Sequence, residues 1–411
     1  MHKSMSCGPQ GELIVTEVDK DVYILRANDR QIKFFEALWE IPEGITYNSY
    51  IVISPEKTIL LDTTKSSFAE CYLEALREVT DPQDIDLIVV HHSEPDHTGA
   101  LPLVLQEAGN AIVYSHPIAR TIIEKTYFVK LSNYKVLREG LSIRLDDSSS
   151  LSFIATPWLH WPDTFMSILE PQGILFSGDV FGAYSIPGTV IDYGIKFGEY
   201  SWFMKKYFAT VIGGYRDWVA KAINKLSSYR DKVKTLAPLH GLVIKQHVKE
   251  ALSLYKLLGE RGTKPCKATI VYVSMYGSVE EAIGRIKEEL ESRGYEVRTY
   301  GFNDRERPLL SDILGDAIDS SILVIGAATY EASIAPLAEH VVNTICSKAS
   351  SGQKAIVVSS YGWGGIAGRK LSSILGSCGI SVEAVIEAQG RLTDTLVSKA
   401  IDSIAGKGEC Q

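Results

Sequence analysis

Six residues, His92-Ser93-Glu94-Pro95-Asp96-His97, constrain this chain more than any other stretch. The segment ahead of them, Asp86-Leu87-Ile88-Val89-Val90-His91, is apolar and β-branched and reads as a strand buried on both faces. Thr98-Gly99-Ala100-Leu101-Pro102 then leads into another apolar run. Two imidazoles and two carboxylates therefore crowd the carboxyl end of a central strand, where α/β proteins build their sites. Burying isolated charges costs several kcal/mol each, and a bound cation removes that cost. The bland alternative is a polar loop whose histidines bond locally.

A length of 411 residues suggests two or three domains. The 45% hydrophobic and 22% charged fractions are those of an ordinary globular protein. A net charge of −8 with no local Lys/Arg cluster argues against nucleic acid. No window is long and apolar enough to cross a membrane, and the N-terminus lacks a signal-peptide core, so a cytoplasmic protein is expected. Cys7, Cys71, Cys266, Cys346, Cys378 and Cys410 form no C-x-x-C pair. Zinc ribbons, rubredoxin-type iron sites and cysteine-held clusters are thereby disfavoured, and the scatter predicts reduced thiols.

Residues 12–62 contain short, turn-bounded strands, and a helix pattern covers about 67–79, stopped at Asp81-Pro82. After the histidine loop come a strand at 111–114, a helix after Pro117 and short strands over 134–178. Helices follow at about 201–229, then a late strand at 233–238 and a helix near 247–258. This order predicts two sheets packed face to face with helices outside. Gly259-Glu-Arg-Gly-Thr-Lys-Pro265 is a polar hinge, giving domains 1–262 and 263–411. Beyond it, strands begin near Ala268, Glu296, Ser321, Ala355 and Val382, each followed by a helix. That alternation predicts a doubly wound, five-stranded parallel sheet.

Three further ligand candidates stand at strand ends in the first half: His160, Asp179 and His240. With His92, Glu94, Asp96 and His97 they make seven, the number that two metals sharing one bridging carboxylate need. Four imidazoles and three carboxylates form a harder, more anionic set than an imidazole-dominated zinc site, and suit iron. The order H-x-E-x-D-H, then His, Asp and His, resembles the metallo-β-lactamase superfamily. Glu94, where most members carry His, resembles the flavodiiron proteins (A-type flavoproteins). The similarity covers the whole chain, since that family places a flavodoxin-like domain after a metallo-β-lactamase-like αββα sandwich. The resemblance implies that His92, Glu94 and His160 hold one iron, Asp96, His97 and His240 the other, and Asp179 bridges them. His91 should point to the opposite side of its strand, as a core or supporting residue.

In the second half, strand 268–273 runs into Ser274-Met275-Tyr276-Gly277-Ser278 and a helix, a phosphate cradle without the glycine–lysine pattern of nucleotide loops. Gly326-Ala-Ala328-Thr329-Tyr330 and Ser359-Ser360-Tyr361-Gly362-Trp363-Gly364-Gly365 end the next strands of that sheet. Aromatics among glycines there can lie on a flavin ring while backbone groups reach its edge. The three loops resemble the FMN site of flavodoxins, implying contacts from Ser274 to Ser278, from Ala328, Thr329 and Tyr330, and from Ser360 through Gly365. Val279 stands where the family often has Thr, which predicts the loss of one hydroxyl contact, worth roughly 1 kcal/mol.

The resemblance thus implies an oxidoreductase in which FMN passes electrons to a diiron centre that reduces O2 to water, NO to N2O, or both. It also implies a head-to-tail homodimer, or a dimer of such dimers. No rubredoxin or flavin-reductase domain follows residue 411, so a separate rubredoxin, another redox protein or reduced deazaflavin is the expected donor. The rival reading is a dizinc hydrolase of the glyoxalase type with a fused flavodoxin domain, against which Glu94 argues.

Overall fold

The computed structural model describes residues 2–229, 231–404 and 410. The chain divides into two units, Met1–Lys256 and Leu257–Gln411.

Unit 1 holds two large sheets and a two-stranded ribbon of Phe34–Phe35 with Trp39–Glu40. The first has eight strands in sequence order: β1 (His2–Ser6), β2 (Glu12–Asp19), β3 (Val22–Asp29), β4 (Ile45–Ile53), β5 (Thr58–Leu61), β6 (Leu87–Val89), β7 (Ile112–Ser115) and β8 (Tyr134–Val136). Pairing is antiparallel through β5 and parallel from β5 to β8. The change of sense requires crossovers, and helices supply them: α1 (Ala69–Arg77), α2 (Pro95–Thr98), α3 (Leu101–Glu107) and α4 (Pro117–Tyr127). The second sheet runs β9 (Ser142–Arg144), β10 (Ser150–Ala155), β11 (Phe165–Glu170), β12 (Ile174–Phe176) and β13 (Thr235–Ala237). α5 (Phe197–Tyr207) and α6 (Arg216–Ser227) lie between β12 and β13, and α7 (Val248–Gly259) follows β13.

One apolar layer joins the sheets. Ile24, Tyr50, Ile59, Leu61 and Val89 from the first meet Leu151, Phe153, Leu169, Ile174 and Phe176 from the second. Each such aliphatic side chain contributes about 1.5–3 kcal/mol on burial. Residues of the opposite register face the helices: Ser49 of β4 bonds the Tyr72 hydroxyl of α1 at 2.7 Å. This is the face-to-face arrangement expected from the strand order.

Unit 2 is a parallel sheet of β14 (Lys264–Val273), β15 (Glu296–Phe302), β16 (Ser320–Tyr330), β17 (Lys354–Tyr361) and β18 (Ser381–Gln389). The spatial order β15-β14-β16-β17-β18 is the doubly wound flavodoxin order. Its helices are α8 (Ser278–Ser292), α9 (Leu310–Ala317), α10 (Pro336–Cys346), α11 (Ala367–Ser377) and α12 (Asp394–Asp402). Four of the five strands start within one residue of where the alternation places them, and β14 starts at Lys264, four residues before Ala268. A short return strand, Ser333–Ile334, pairs back on Thr329–Tyr330 and has no sequence signal, being too short for periodicity.

The cysteine reading is corrected. Cys7–Cys71, Cys266–Cys410 and Cys346–Cys378 are disulfides, with Cα separations of 5.6, 5.6 and 5.5 Å. The partners lie 64, 144 and 32 residues apart in sequence, so only the folded chain brings them within bonding distance. No described helix is long and apolar enough to cross a membrane.

Candidate functional site

β6 ends at Val89, and its continuation through His91 crosses to the second sheet, where the His91 carbonyl accepts from Phe165 N–H at 2.8 Å. His92 is therefore delivered at the seam between the sheets. Glu94 sits immediately before α2, and Pro95 at its first position suits a helix start. One turn of α2 then presents Asp96 and His97. Gly99 lets this turn approach the backbone closely, since a Cβ there would lie 2.2 Å from Ser66 N.

The second sheet brings His160 from the loop after β10, Asp179 from the turn after β12 and His240 from the turn after β13. Strand pairing puts these three strand ends on one edge. His92, Glu94, His160 and Asp179 form one group with ligand atoms within 4.8 Å of one another, and Asp96, His97 and His240 form a second. Asp179 faces both. Its Oδ2 is 3.5 Å from His92 Nε2 and 3.1 Å from His160 Nε2. Its Oδ1 is 3.3 Å from His97 Nε2 and 3.7 Å from His240 Nε2. One carboxylate thus presents a different oxygen to each trio.

The donor set is under-satisfied in a way that fits cations. All four imidazoles turn Nε2 inward, and His97 Nε2 and His240 Nε2 are 3.2 Å apart. His92, His97, His240 and Asp179 are fully buried. Both oxygens of Asp179, both of Asp96 and both nitrogens of His92 have no hydrogen-bond partner. His240 Nδ1 donates to the Thr46 carbonyl at 2.7 Å, which leaves the Nε2 lone pair for a metal. Burial, the largest influence on Glu94, opposes its charge, but the bond from His160 at 2.7 Å and the nearby His92 imidazole outweigh it and hold the carboxyl down at about 2. His160 is raised to about 10, against its burial, by Asp179 and Glu94. Burial lowers His240 to about 4. Burial also pushes Asp96 up to about 7, and the site carboxylates raise His92 and His97 against their burial, so the set holds protons that two cations would displace.

Several residues here carry no sequence signal. His91 is not in the cluster; its Nδ1 is 2.6 Å from Asp62 Oδ2 and its Nε2 2.8 Å from Ser167 Oγ, all buried. This chain pins the start of the site loop to both sheets. Asp163 accepts from Ser93 N–H at 2.8 Å. Phe35, Tyr47 and Tyr207 wall His240 with ring centroids 5.8, 5.8 and 5.3 Å away. The Tyr207 hydroxyl is buried without a partner, and a π-helical turn, Phe208–Ile212, follows it. Such turns are common beside functional sites.

In unit 2 the three singled-out loops share the carboxyl edge of the sheet. Ser274 N–H donates to the Phe302 carbonyl at 2.9 Å, and Gly277 N–H donates to Ser274 Oγ at 3.2 Å. Gly277, at φ 86°, turns the chain into α8 at Ser278, while Met275 and Tyr276 form the crest of the turn. Tyr276 is 95% and Trp363 91% exposed, and Tyr330 at the end of β16 is also exposed. A Cβ at Gly277, Gly362 or Gly364 would meet nothing within 4 Å, so these loops leave open space for a flat ring and a phosphate. Ala328 and Ser360 sit side by side at the strand ends. The Thr329 hydroxyl accepts from Ile366 and Ala367 N–H, at 3.2 and 3.1 Å. Val279 is buried among core residues.

Comparison with known proteins agrees with both units. The model of the ODP family beta lactamase matches residues 45–241. A nitric oxide reductase of Moorella thermoacetica is 26% identical over 364 residues, 88% of this chain and 90% of its own. An anaerobic nitric oxide reductase flavorubredoxin of Vibrio vulnificus is 25% identical, over 91% of this chain and 75% of its own. The rubredoxin oxygen:oxidoreductase of Desulfovibrio gigas, 23% identical with a TM-score of 0.88 over 96% of this chain and 98% of its own, shares the fold. A variant of the flavo di-iron protein from Thermotoga maritima is 34% identical, superposes with a TM-score of 0.88 and covers 98% of both chains. With that identity along its whole length, the chain belongs to the flavodiiron protein family.

Proposed function

We propose that this flavodiiron protein is an oxidoreductase that reduces O2 to water, NO to N2O, or both. The carrying observation is Asp179, whose two oxygens face two separate trios of inward-pointing ligands. His92, Glu94 and His160 would hold one iron, Asp96, His97 and His240 the other, and Asp179 both. When bound, the iron pair would supply redox-active metals, and FMN would store two electrons and pass them on singly. The protein's residues do the rest. The Phe35, Tyr47 and Tyr207 rings exclude water from the His240 side. Burial, and behind it the site carboxylates, push the Tyr207 hydroxyl well above its ordinary value, so it stays protonated and donates to an oxygen atom of the substrate. Ser274 to Ser278 would hold the phosphate, while Tyr276, Tyr330, Trp363 and the Ser360–Gly365 loop would flank the ring.

The donor is a separate redox protein such as rubredoxin, or reduced deazaflavin. In a head-to-tail homodimer, the FMN of one subunit serves the irons of the other. Exposed Phe34, Leu38 and Trp158 in unit 1, and Tyr276 and Trp363 in unit 2, are surface that such pairing would cover. We place the protein in a cytoplasm that tolerates disulfides, as hyperthermophile cytoplasms do. The dizinc hydrolase is the weaker reading, because a carboxylate, Glu94, stands in the first trio and a flavodoxin-like unit follows. Anaerobic stopped-flow of the reduced protein against each gas tests the proposal. Oxidation of the flavin no faster than that of free FMN by both gases would reject it.

A further inference from the structure

The loop Tyr361–Gly365 is built of glycines and an exposed tryptophan, a composition that does not hold a shape by itself. Side chains from its neighbouring strands hold the loop through Gln389 and the helix start it leads into through Glu387 and Thr329. On β18, Glu387 and Gln389 stand two residues apart and so project from the same face. Glu387 Oε1 accepts from Gly368 N–H at 2.9 Å, and Gln389 Nε2 donates to the Gly362 carbonyl at 2.8 Å. From the other side, the Thr329 hydroxyl of β16 takes the N–H groups of Ile366 and Ala367.

The seat for Glu387 is made of absent side chains. A Cβ at Gly365 would lie 2.2 Å from Glu387 Oε2, and one at Gly368 2.8 Å from Oε1. Gly365 has a negative φ, so its backbone does not require glycine; the space taken by the Glu387 carboxylate and by the Tyr361 ring, 2.6 Å from such a Cβ, does. α11, entered through Ile366, has no cap from its own N-cap side chain. Thr329 and Glu387 satisfy its first N–H groups from neighbouring strands instead.

We propose that Glu387 is a positioning residue for flavin binding: seated between Gly365 and Gly368, it fixes the Tyr361–Gly365 loop in the shape that receives the FMN ring. Gln389 and Thr329 complete the clamp. This inference rests on the FMN reading of unit 2. Binding to a preordered loop avoids the entropy of ordering it, so loosening the clamp weakens affinity without unfolding the sheet.

The test is FMN titration of the full-length apoprotein by fluorescence quenching, with apoprotein melting temperature measured alongside. Glu387→Ala should raise the FMN Kd at least tenfold with the melting temperature unchanged, and Glu387→Gln, which keeps an acceptor oxygen, should restore affinity to within threefold of the unmodified protein. Thr329→Val should raise the Kd in the same direction, which keeps the clamp testable if Glu387→Ala does not fold. An unchanged Kd in Glu387→Ala, or in Thr329→Val should the former not fold, overturns the proposal, as does a Kd rise matched by a fall in melting temperature. Failure of the unmodified apoprotein to take up FMN would instead remove the cofactor reading, and the proposal with it.

Discussion

The two oxygens of Asp179 point to different histidine pairs, His92 and His160 on one side and His97 and His240 on the other. Removing that carboxylate takes one negative charge from a buried set of three and one ligand from each metal. Asp179→Ala should therefore lower iron from two per chain to less than one, with FMN still near one per chain. Two irons retained by metal analysis would show that Asp179 bridges nothing. Tyr207 offers a different contrast. Its hydroxyl is buried without a partner, so the folded protein gains nothing from it. Tyr207→Phe should leave the melting temperature of the metal-free protein equal or higher while slowing gas reduction about tenfold, the equivalent of one hydrogen bond of about 1.4 kcal/mol. Unchanged turnover would mean that the hydroxyl faces no substrate.

At the scale of elements, the boundary proposed at 262/263 falls between the end of α7 at Gly259 and the start of β14 at Lys264. All five parallel strands and two of the three disulfides lie beyond it. At the sheet edge away from the flavin loops, buried Lys267 is held by Asp316 and Asp319 at 2.8 and 2.6 Å, and the Tyr300 hydroxyl donates to Asp316 at 2.6 Å. These partners are all inside the fragment 263–411. Expressed alone, it should fold and bind FMN, read by near-ultraviolet circular dichroism and flavin fluorescence. An insoluble or colourless fragment would move the boundary.

For the whole molecule, the disulfides set the stability. Crosslinks spanning 64, 144 and 32 residues contribute about 4, 5 and 4 kcal/mol in the chain-entropy picture. Two of them lie in unit 2. Reduction should therefore lower its unfolding transition more than that of unit 1. Differential scanning calorimetry with and without a phosphine reductant would check this, with thiol counts of zero and six in the denatured protein. A free thiol count before reduction would contradict the pairing.

Much was legible in the one-dimensional chain because it depends on local chemistry. Apolar runs ending in His92, His160, Asp179 and His240 marked strands with ligands at their ends, and the alternation after residue 265 marked the parallel sheet. Glu94 identified the family from a single position. What needed the fold is what joins distant segments. Whether the seven ligands meet depends on β10, β12 and β13 ending at one edge, opposite the end of β6. The cysteines read as free thiols because pairing depends on distance in space, and sequence separation carries none of it. Phe35, Tyr47 and Tyr207 belong to none of the sequence motifs, and only the fold brings their rings against His240 as a wall of the site. Thr329, expected as a cofactor contact, also caps α11, a role the sequence did not show, because a hydroxyl at a strand end bonds whichever N–H groups the crossover brings to it. Sequence determined which groups exist and which local shapes they prefer; tertiary structure decided which of them touch, since hydrogen bonds, disulfides and metal ligation all act over a few ångströms.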